Sequence, residues 1–520
     1  MRPSPRARAW LFVAGVAGVT ALAGCGTIPE QAKPTLDLPV AWTLDSPWRQ
    51  ATPSDALAKG PWWHRFNDDI LNDLQERASR NSPTLEQANA RLAQARSLQA
   101  AAEAGLFPQI GLLARPARQE ISANRPLTNY KSPNFATIQN DHILSMSASY
   151  EVDFAGRVQA TIDGARATAE QTAADLENLR LLLAADLASA YFNLREIDTE
   201  IDVLRRAIGL QERALELITA RHDLGAATGL DVAQQKALLS ATRVQQELLR
   251  RQRGQFEHVI ATLIGVPAPQ FSLPPERRDI GLPTVPLGIP SDILERRPDV
   301  SVAERAMAAA NAQIGVANAA FFPSIILNAT GGYEANQMSK LFDEPSLIWS
   351  FGVAIAKTVF DGGRIKANAK AALAGYQATV ANYRKVVLTA MQEVEDGITG
   401  LSALERAADH ADASARTAAH VLDMTTARYE GGASSYFEVI AAQQALLTSE
   451  RQVAQINGQR LVTTVFLIKA LGGGWERVPA TDARDAAPAE KEKASSAAPA
   501  SAAAENQDGR TSERTRQATG

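Results

Sequence analysis

The chain has 520 residues, a formal net charge of −4 and a single cysteine. A slightly acidic balance argues against a nucleic-acid-binding protein, and one cysteine excludes both an internal disulfide framework and a site with several thiolate ligands. The length exceeds that of one ordinary hydrophobic core, so we expect several domains or one elongated domain.

The N-terminus has the pattern of a bacterial secretory signal. A basic start is followed by the uncharged run AWLFVAGVAGVTALAG, which ends at Gly24 and is too short for a membrane-spanning helix of about 20 residues. The sequence LAGC that ends at Cys25 resembles a bacterial lipobox, in which the cysteine sulfur carries a diacylglyceryl group. We therefore predict a covalent lipid on Cys25, with a buried free cysteine as the alternative, and Gly26 after it favours the outer membrane.

Two parts of the chain resemble each other. AGLFPQIGL at 104–112 returns as AAFFPSIIL at 319–327, and ARHDLGAATGLDV at 220–232 returns as ARYEGGASSYFEV at 427–439. Such self-similarity predicts a tandem internal repeat. The predicted units are a signal peptide (1–24), a lipidated N-terminal and equatorial segment (25–80), a first repeat (81–265), an equatorial linker (266–296), a second repeat (297–475) and a disordered tail (478–520).

Each repeat contains two predicted strands. Large apolar residues alternate with serines and acids over 144–154, and a similar alternation with small residues runs over 349–359 until Lys357 interrupts it. A period of two indicates a strand with one apolar face. The predicted strands cover about 108–122, 141–154, 323–335 and 346–360.

Two very long helices follow the strand pairs. No proline occurs from Arg157 to His222, a stretch that would span roughly 100 Å as a helix. Apolar residues from Leu187 to Ile218 are spaced three and four apart, as in a coiled coil, and glycines near 225 and 431 mark a turn into a returning helix. The predicted helices cover about 157–222, 230–264, 364–428 and 436–470. The fold class is therefore mixed α and β, mostly α, with long antiparallel coiled-coil helices.

Four strands cannot close a membrane barrel, whose open edges lipid does not tolerate, so several copies must share one barrel. The chain resembles the TolC/OprM-type outer membrane factors, in their NodT-like efflux lipoprotein branch. The resemblance rests on the lipobox and on these motifs: WWHRFNDDILNDLQERA (62–78), ANARLAQAR (88–96), FPQI, FPSI, IPSDILERRPDV (289–300), FDGGR (360–364) and ARYEGG (427–432).

The resemblance implies a homotrimer with a shared twelve-stranded transmembrane β-barrel, a periplasmic α-barrel and an equatorial belt. It also implies a passive conduit for drugs or other small toxic compounds, docked on a periplasmic adaptor (membrane fusion protein) and an inner-membrane pump. The chain would then contact outer membrane lipid, the adaptor and the pump, and it would bind no nucleic acid. A non-conducting coiled-coil lipoprotein scaffold is the alternative, but a scaffold does not need a lipid-facing strand face.

The resemblance also places candidate gate residues at the periplasmic tips of the helical hairpins. In the family pattern an aspartate on the first tip bonds a tyrosine on the second, which Asp231 and Tyr429 match. Glu438 matches an acidic ring position, and Tyr436 and Phe437 would add aromatic contacts. The alternative is that Asp231 and Glu438 are solvated carboxylates at helix starts, favoured by the helix dipole.

No pattern of enzymatic chemistry stands out. The histidines lack metal-ligand spacing, and LGGGWERV at 471–478 lacks the lysine of a phosphate loop and indicates a helix stop. FDGGR predicts a turn in which Asp361 caps the following helix. We therefore expect no enzyme, no metal and no cofactor apart from the lipid on Cys25.

Overall fold

A computed structural model describes residues 61–120, 138–285 and 296–473. The predicted signal peptide, Cys25 and the predicted tail lie outside these residues. The first part of the chain contains α1 (Asp69–Asn81), α2 (Pro83–Glu103), β1 (Gln109–Glu120), β2 (Ile138–Val152), α3 (Arg157–Asp223) and α4 (Gly229–Leu263).

The second part has a similar order of elements and begins after the linker. It contains α5 (Pro298–Ala319), β3 (Ser324–Ala335), β4 (Leu347–Ala356), α6 (Arg364–Glu430) and α7 (Tyr436–Ala470). The described chain is thus mostly helical, with α3 and α6 each 67 residues and about 100 Å long. None of the described helices has an apolar stretch that could cross a membrane.

The four strands form one antiparallel sheet in the order β1-β2-β3-β4. One face of β4 presents apolar side chains to the surroundings, because Trp349, Phe351 and Ile355 are each at least two-thirds exposed. Ile325 on β3 lies opposite Ile355 and continues this apolar face. Among the described strands, β1 and β4 each have one unpaired edge.

β4 is shorter than the sequence predicts. It ends at Ala356 rather than near 360, and Val359, which was expected on its apolar face, lies beyond it. Ala356 is paired with Ser324, which directly follows Pro323. Proline has no backbone N–H to continue the ladder, so the pairing ends there.

Aspartates start both long helices. The Asp153 carboxylate accepts hydrogen bonds from the amides of Val158 and Gln159 at 3.0 and 2.8 Å. Asp361 accepts from the amide of Ile365 at 2.7 Å, as the sequence predicts, and these backbone donors lower its pKa. The two caps satisfy amides that the first helical turn leaves free, so each strand pair passes into its long helix at a defined point.

The main hydrophobic core lies between the sheet and the hairpin tips. There α1, the middle of α3, the end of α4, the linker, α6 and the end of α7 meet. Tyr191 and Phe192 of α3 are fully buried there, and the ring of Phe66 lies 4.8 Å from that of Phe192. From this core the two helical hairpins, α3–α4 and α6–α7, extend away from the sheet to their tips.

Candidate functional site

The two hairpin tips have closely similar backbones. In the first tip the amides of Gly225 and Ala226 bond back to the end of α3, and in the second the amides of Gly432 and Ala433 bond back to the end of α6 in the same pattern. Gly225 and Gly432 have φ values of 74° and 75°. This left-handed conformation suits glycine and ends each long helix.

In the first tip, Asp231 belongs to a capping box. Its carboxylate accepts from the amide of Thr228 at 3.0 Å and from the Thr228 hydroxyl at 2.8 Å, and the Asp231 amide donates to that hydroxyl oxygen. This arrangement holds the first turn of α4, and it matches the helix-start alternative for Asp231.

In the second tip the helix start has no such cap. Ser435 precedes α7 without a side-chain cap bond, and the Ser434 hydroxyl is buried without a hydrogen-bond partner among the described residues. Glu438 lies in the first turn, with its carboxylate 3.6 Å from the guanidinium of Arg428 across the turn. Glu438 therefore faces solvent and a basic neighbour, a position compatible with an acidic ring.

Tyr436 joins the two hairpins. Its side chain is 5% exposed and packs in one cluster with Ile218 and Leu238 of the first hairpin. Its hydroxyl donates to Oε1 of Gln235 at 3.0 Å, and Nε2 of Gln235 donates to the backbone carbonyl of Gln211 at 3.0 Å. Burial raises the pKa of Tyr436 to about 12. Tyr436 is therefore a neutral bridge between the hairpins.

Tyr429 lies beside this bridge. Its ring centre is 5.0 Å from that of Tyr436 and 5.1 Å from the guanidinium carbon of Arg221. Asp231 lies near enough to act electrostatically on Tyr436. The structure thus gathers Asp231 and Tyr429 at one place, but no hydrogen bond joins them in the part of the chain that it describes. Their role in a gate stays a prediction.

Large apolar side chains are exposed at the far end of the hairpins. Leu224, Leu230 and Phe437 are 85%, 65% and 62% exposed. Leu224 and Leu230 flank the first turn, and Phe437 follows Tyr436 on the second. Exposed large apolar side chains at both tips would suit a contact with another molecule.

The sequence reading missed the residues that bind the gate candidates. Gln235 is fully buried. A polar residue on the inner face of an otherwise apolar helix could have indicated that it bonds another helix. Thr228 followed three residues later by Asp231 is the pattern of a capping box. No sequence feature indicated the role of Arg221, because its contact with the ring of Tyr429 joins two helices that are distant in the chain.

Comparisons with known proteins agree on one family. The profile of the outer membrane efflux protein family matches residues 74–266 and again 289–473. The pyoverdine export outer membrane protein OpmQ of Pseudomonas aeruginosa is 32% identical over 88% of this chain and 95% of its own. The toluene efflux pump outer membrane protein TtgF of Pseudomonas putida is 30% identical over 88% of this chain and 96% of its own.

A solved structure extends the agreement to the fold. The outer-membrane channel OprN matches with a TM-score of 0.79 and 26% identity, over 87% of this chain and 100% of that one. The resemblance seen in the sequence motifs is thereby confirmed, and the chain belongs to the outer membrane efflux protein family.

Proposed function

We propose that three copies of this chain form one passive conduit across the outer membrane for drugs or other small toxic compounds. The exposed apolar face of the four-stranded sheet carries this proposal, because a lipid-facing strand surface has no use in a coiled-coil scaffold. The unpaired edges of β1 and β4 would pair between copies, and three such sheets would give twelve strands and no free edge. The tandem repeat would place two similar helical hairpins per copy around the periplasmic wall.

The mass of the detergent-solubilised protein and its conductance in planar bilayers test this proposal together. A trimer that conducts ions through discrete channels is expected. A monomer, or a trimer that never conducts, would favour the scaffold alternative.

We further propose that Cys25 carries a lipid, which the lipobox supports. Each buried methylene of an acyl chain contributes about 0.8 kcal/mol, so several chains give stable anchoring. Radiolabelled palmitate should enter the wild-type protein but not Cys25→Ser, and equal labelling of both would refute the lipid. Assembly of the barrel is a separate question, since its apolar face inserts by itself.

The partners would be a periplasmic adaptor and an inner-membrane pump. The relative TtgF is described as part of a toluene efflux pump, and this chain presents Leu224, Leu230 and Phe437 at the tips where an adaptor would dock. Leu224→Ser with Phe437→Ser should reduce co-purification of the adaptor and leave the trimer intact. Unchanged co-purification would place the docking surface elsewhere.

The gate candidates are tested by conductance. Tyr429→Phe with Asp231→Ala should raise single-channel conductance, and Glu438→Ala should lower cation selectivity and block by multivalent cations, as expected for acidic rings. Asp223→Ala, which removes an exposed acid from the same region, serves as the matched control. If all variants behave like the control, the constriction lies elsewhere and the candidates are structural residues of the tips.

A further inference from the structure

A cavity of about 500 Å³ lies beside the main core, next to both ends of the described chain. Its wall is largely apolar, with contributions from Trp62, Leu85 and Leu181. Pro61 and Gly473, the first described residue and the last, both line it. The rest of the chain therefore leaves the described structure at the mouth of this cavity.

Two glycines direct the C-terminal chain along the cavity wall. Gly472 and Gly473 follow the end of α7 with φ values of 87° and 89°, and their amides bond back to the carbonyls of Lys469 and Ile468 at 2.9 and 3.0 Å. A Cβ on Gly473 would lie 3.1 Å from Cδ1 of Leu181. The backbone thus turns sharply out of the helix and passes close to an apolar wall residue.

Trp63 lines the cavity beside Trp62, so the wall offers two aromatic rings to an apolar occupant.

We propose that Trp475 fills this cavity. Trp475 is two residues beyond Gly473, within about 7 Å of extended chain. After Gly473 the only large apolar residues are Trp475 and Val478, so the rest of the tail offers no competing apolar anchor.

Charge at the cavity rim fits the same segment. Glu177 and Arg180 line the cavity and form an ion pair with each other at 2.5 Å, and Glu476 and Arg477 directly follow Trp475. The charges of the segment can therefore extend this ion pair. The upstream chain is less suitable, because Lys59 would stand at the mouth next to Gly60 and Trp48 is far from Pro61 along the chain. The docked tryptophan would fix the point at which the tail leaves the equatorial region.

Disulfide trapping in the full chain tests this placement. In the Cys25→Ser protein, Glu476→Cys is combined with Ser79→Cys at the cavity rim, so that the pair holds the only thiols. Ser97→Cys replaces Ser79→Cys in the control, since both serines are exposed and bond the carbonyl of a preceding turn of their helix. A disulfide needs Cα atoms about 4.4–6.8 Å apart, so only a nearby pair should close rapidly.

The intramolecular disulfide with Ser79→Cys should form at least about tenfold faster than the control, and Trp475→Ala should reduce it to the control rate. Equal rates for the two pairs, or a rate insensitive to Trp475→Ala, would overturn the proposal. A disulfide that joins isotopically labelled and unlabelled copies would assign the cavity to a second copy instead.

Thermal unfolding gives an independent readout without cysteines. Trp475→Ala should lower the unfolding temperature by at least about 2 °C, whereas Trp48→Ala should leave it unchanged. The reverse result would assign the cavity to the upstream segment.

Discussion

The two helical hairpins have matching backbones and different interiors. α3 and α6 have 67 residues each, and α4 and α7 have 35 each. The first hairpin joins its two helices through buried charges of its own, whereas the second brings its helices together through small residues and receives a buried arginine from the start of α5. The same backbone length is thus held by two kinds of chemistry, and the two hairpins should respond differently to substitution.

A buried ion network holds the first hairpin. Asp198 of α3 accepts from Arg195 at 2.9 Å and from Nε of Arg253 on α4 at 2.6 Å. The two arginines also donate to the carbonyls of Pro274 and Leu273 in the linker, at 3.0 and 2.6 Å. The network therefore ties the hairpin to the linker that follows it.

Close approach characterises the second hairpin. A Cβ on Gly397 would lie 3.0 Å from Cδ1 of Leu467 on α7, and Ala408 and Ala411 are buried further along α6. Small side chains let the helix axes approach each other. Ser402 stands where the repeat would place the counterpart of Arg195, and it is buried but uncharged. The second hairpin receives its ionic link from Arg297, directly after the linker, which donates to Glu393 of α6 and to the carbonyl of Ala470 at 2.8 Å each.

The largest difference between the hairpins should appear on removing Arg253. Arg253→Ala leaves Asp198 buried without one of its two arginine partners, and breaking such a pair costs about 3–5 kcal/mol of the free energy of unfolding. Arg460→Ala, at the corresponding position of α7, should cost less than about 1 kcal/mol. The unfolding midpoint in denaturant measures both. A loss that is equal in the two variants would remove the distinction drawn between the hairpins.

The next effect distinguishes the two tips. Asp231→Ala removes a capping box and should cost about 0.5–2 kcal/mol, whereas Glu438 makes only an exposed ion pair worth about 0–1 kcal/mol. Asp231→Asn should retain much of the stability, because its amide oxygen can still accept. If Glu438→Ala destabilised the protein more than Asp231→Ala, the second tip would contain a contact that the single chain does not show.

The two tip tyrosines offer a finer comparison. Tyr436→Phe removes the buried hydrogen bond to Gln235 and should cost about 0.5–1.5 kcal/mol. Tyr429→Phe keeps the ring contacts to Arg221 and Tyr436 and should leave the free energy of unfolding nearly unchanged. Chemical denaturation of the two variants side by side checks this. Similar losses would mean that the Tyr429 hydroxyl also has a partner in the assembled protein.

The periodicity of apolar residues and the turn residues predict most of the fold. Prolines and aspartates mark the starts of strands and helices, and the glycines at 225 and 432 mark the tips, because these residues act locally through backbone conformation and hydrogen bonds. The end of β4 escaped prediction, since it depends on Pro323, which directly precedes the partner strand. Pairing register is a long-range property that alternation in one strand does not contain.

The candidate site was harder to predict than the fold. Asp231 and Tyr429 lie in one cluster, but Asp231 bonds its own helix start and Tyr429 packs on Arg221. The burial of Tyr436 and its bond to Gln235 depend on how the hairpins pack, two hundred residues apart in the chain. Residue types and spacing identify such positions as candidates, but they do not predict which partner each residue contacts.

The smallest expected effect lies where the two hairpins meet. Glu196 and Glu200 are one turn apart on α3, and Glu200 accepts from Arg451 and Gln455 of α7 at 2.7 and 3.0 Å. Gly458 of α7 packs directly against Glu196, since a Cβ there would lie 2.4 Å from its Cγ. Burial, and then the hydrogen bond with Glu200, raise the pKa of Glu196 to about 8, although the charge of Arg451 opposes this rise.

This pKa makes stability depend on pH in a defined direction. Because the folded protein holds the Glu196 proton up to about pH 8 and the unfolded chain releases it near 4.5, the folded state binds more protons between these values. This contribution is complete below about pH 4.5 and is lost as the pH rises through 8. Discounted for partial exposure, the loss between pH 5 and 8 should be about 1 kcal/mol or less. Glu196→Gln should remove this slope from a series of unfolding measurements, whereas Glu216→Gln, on an exposed face of the same helix, should retain it. If the free energy of unfolding of Glu196→Gln showed the same pH dependence, Glu196 would not be the group that binds this proton.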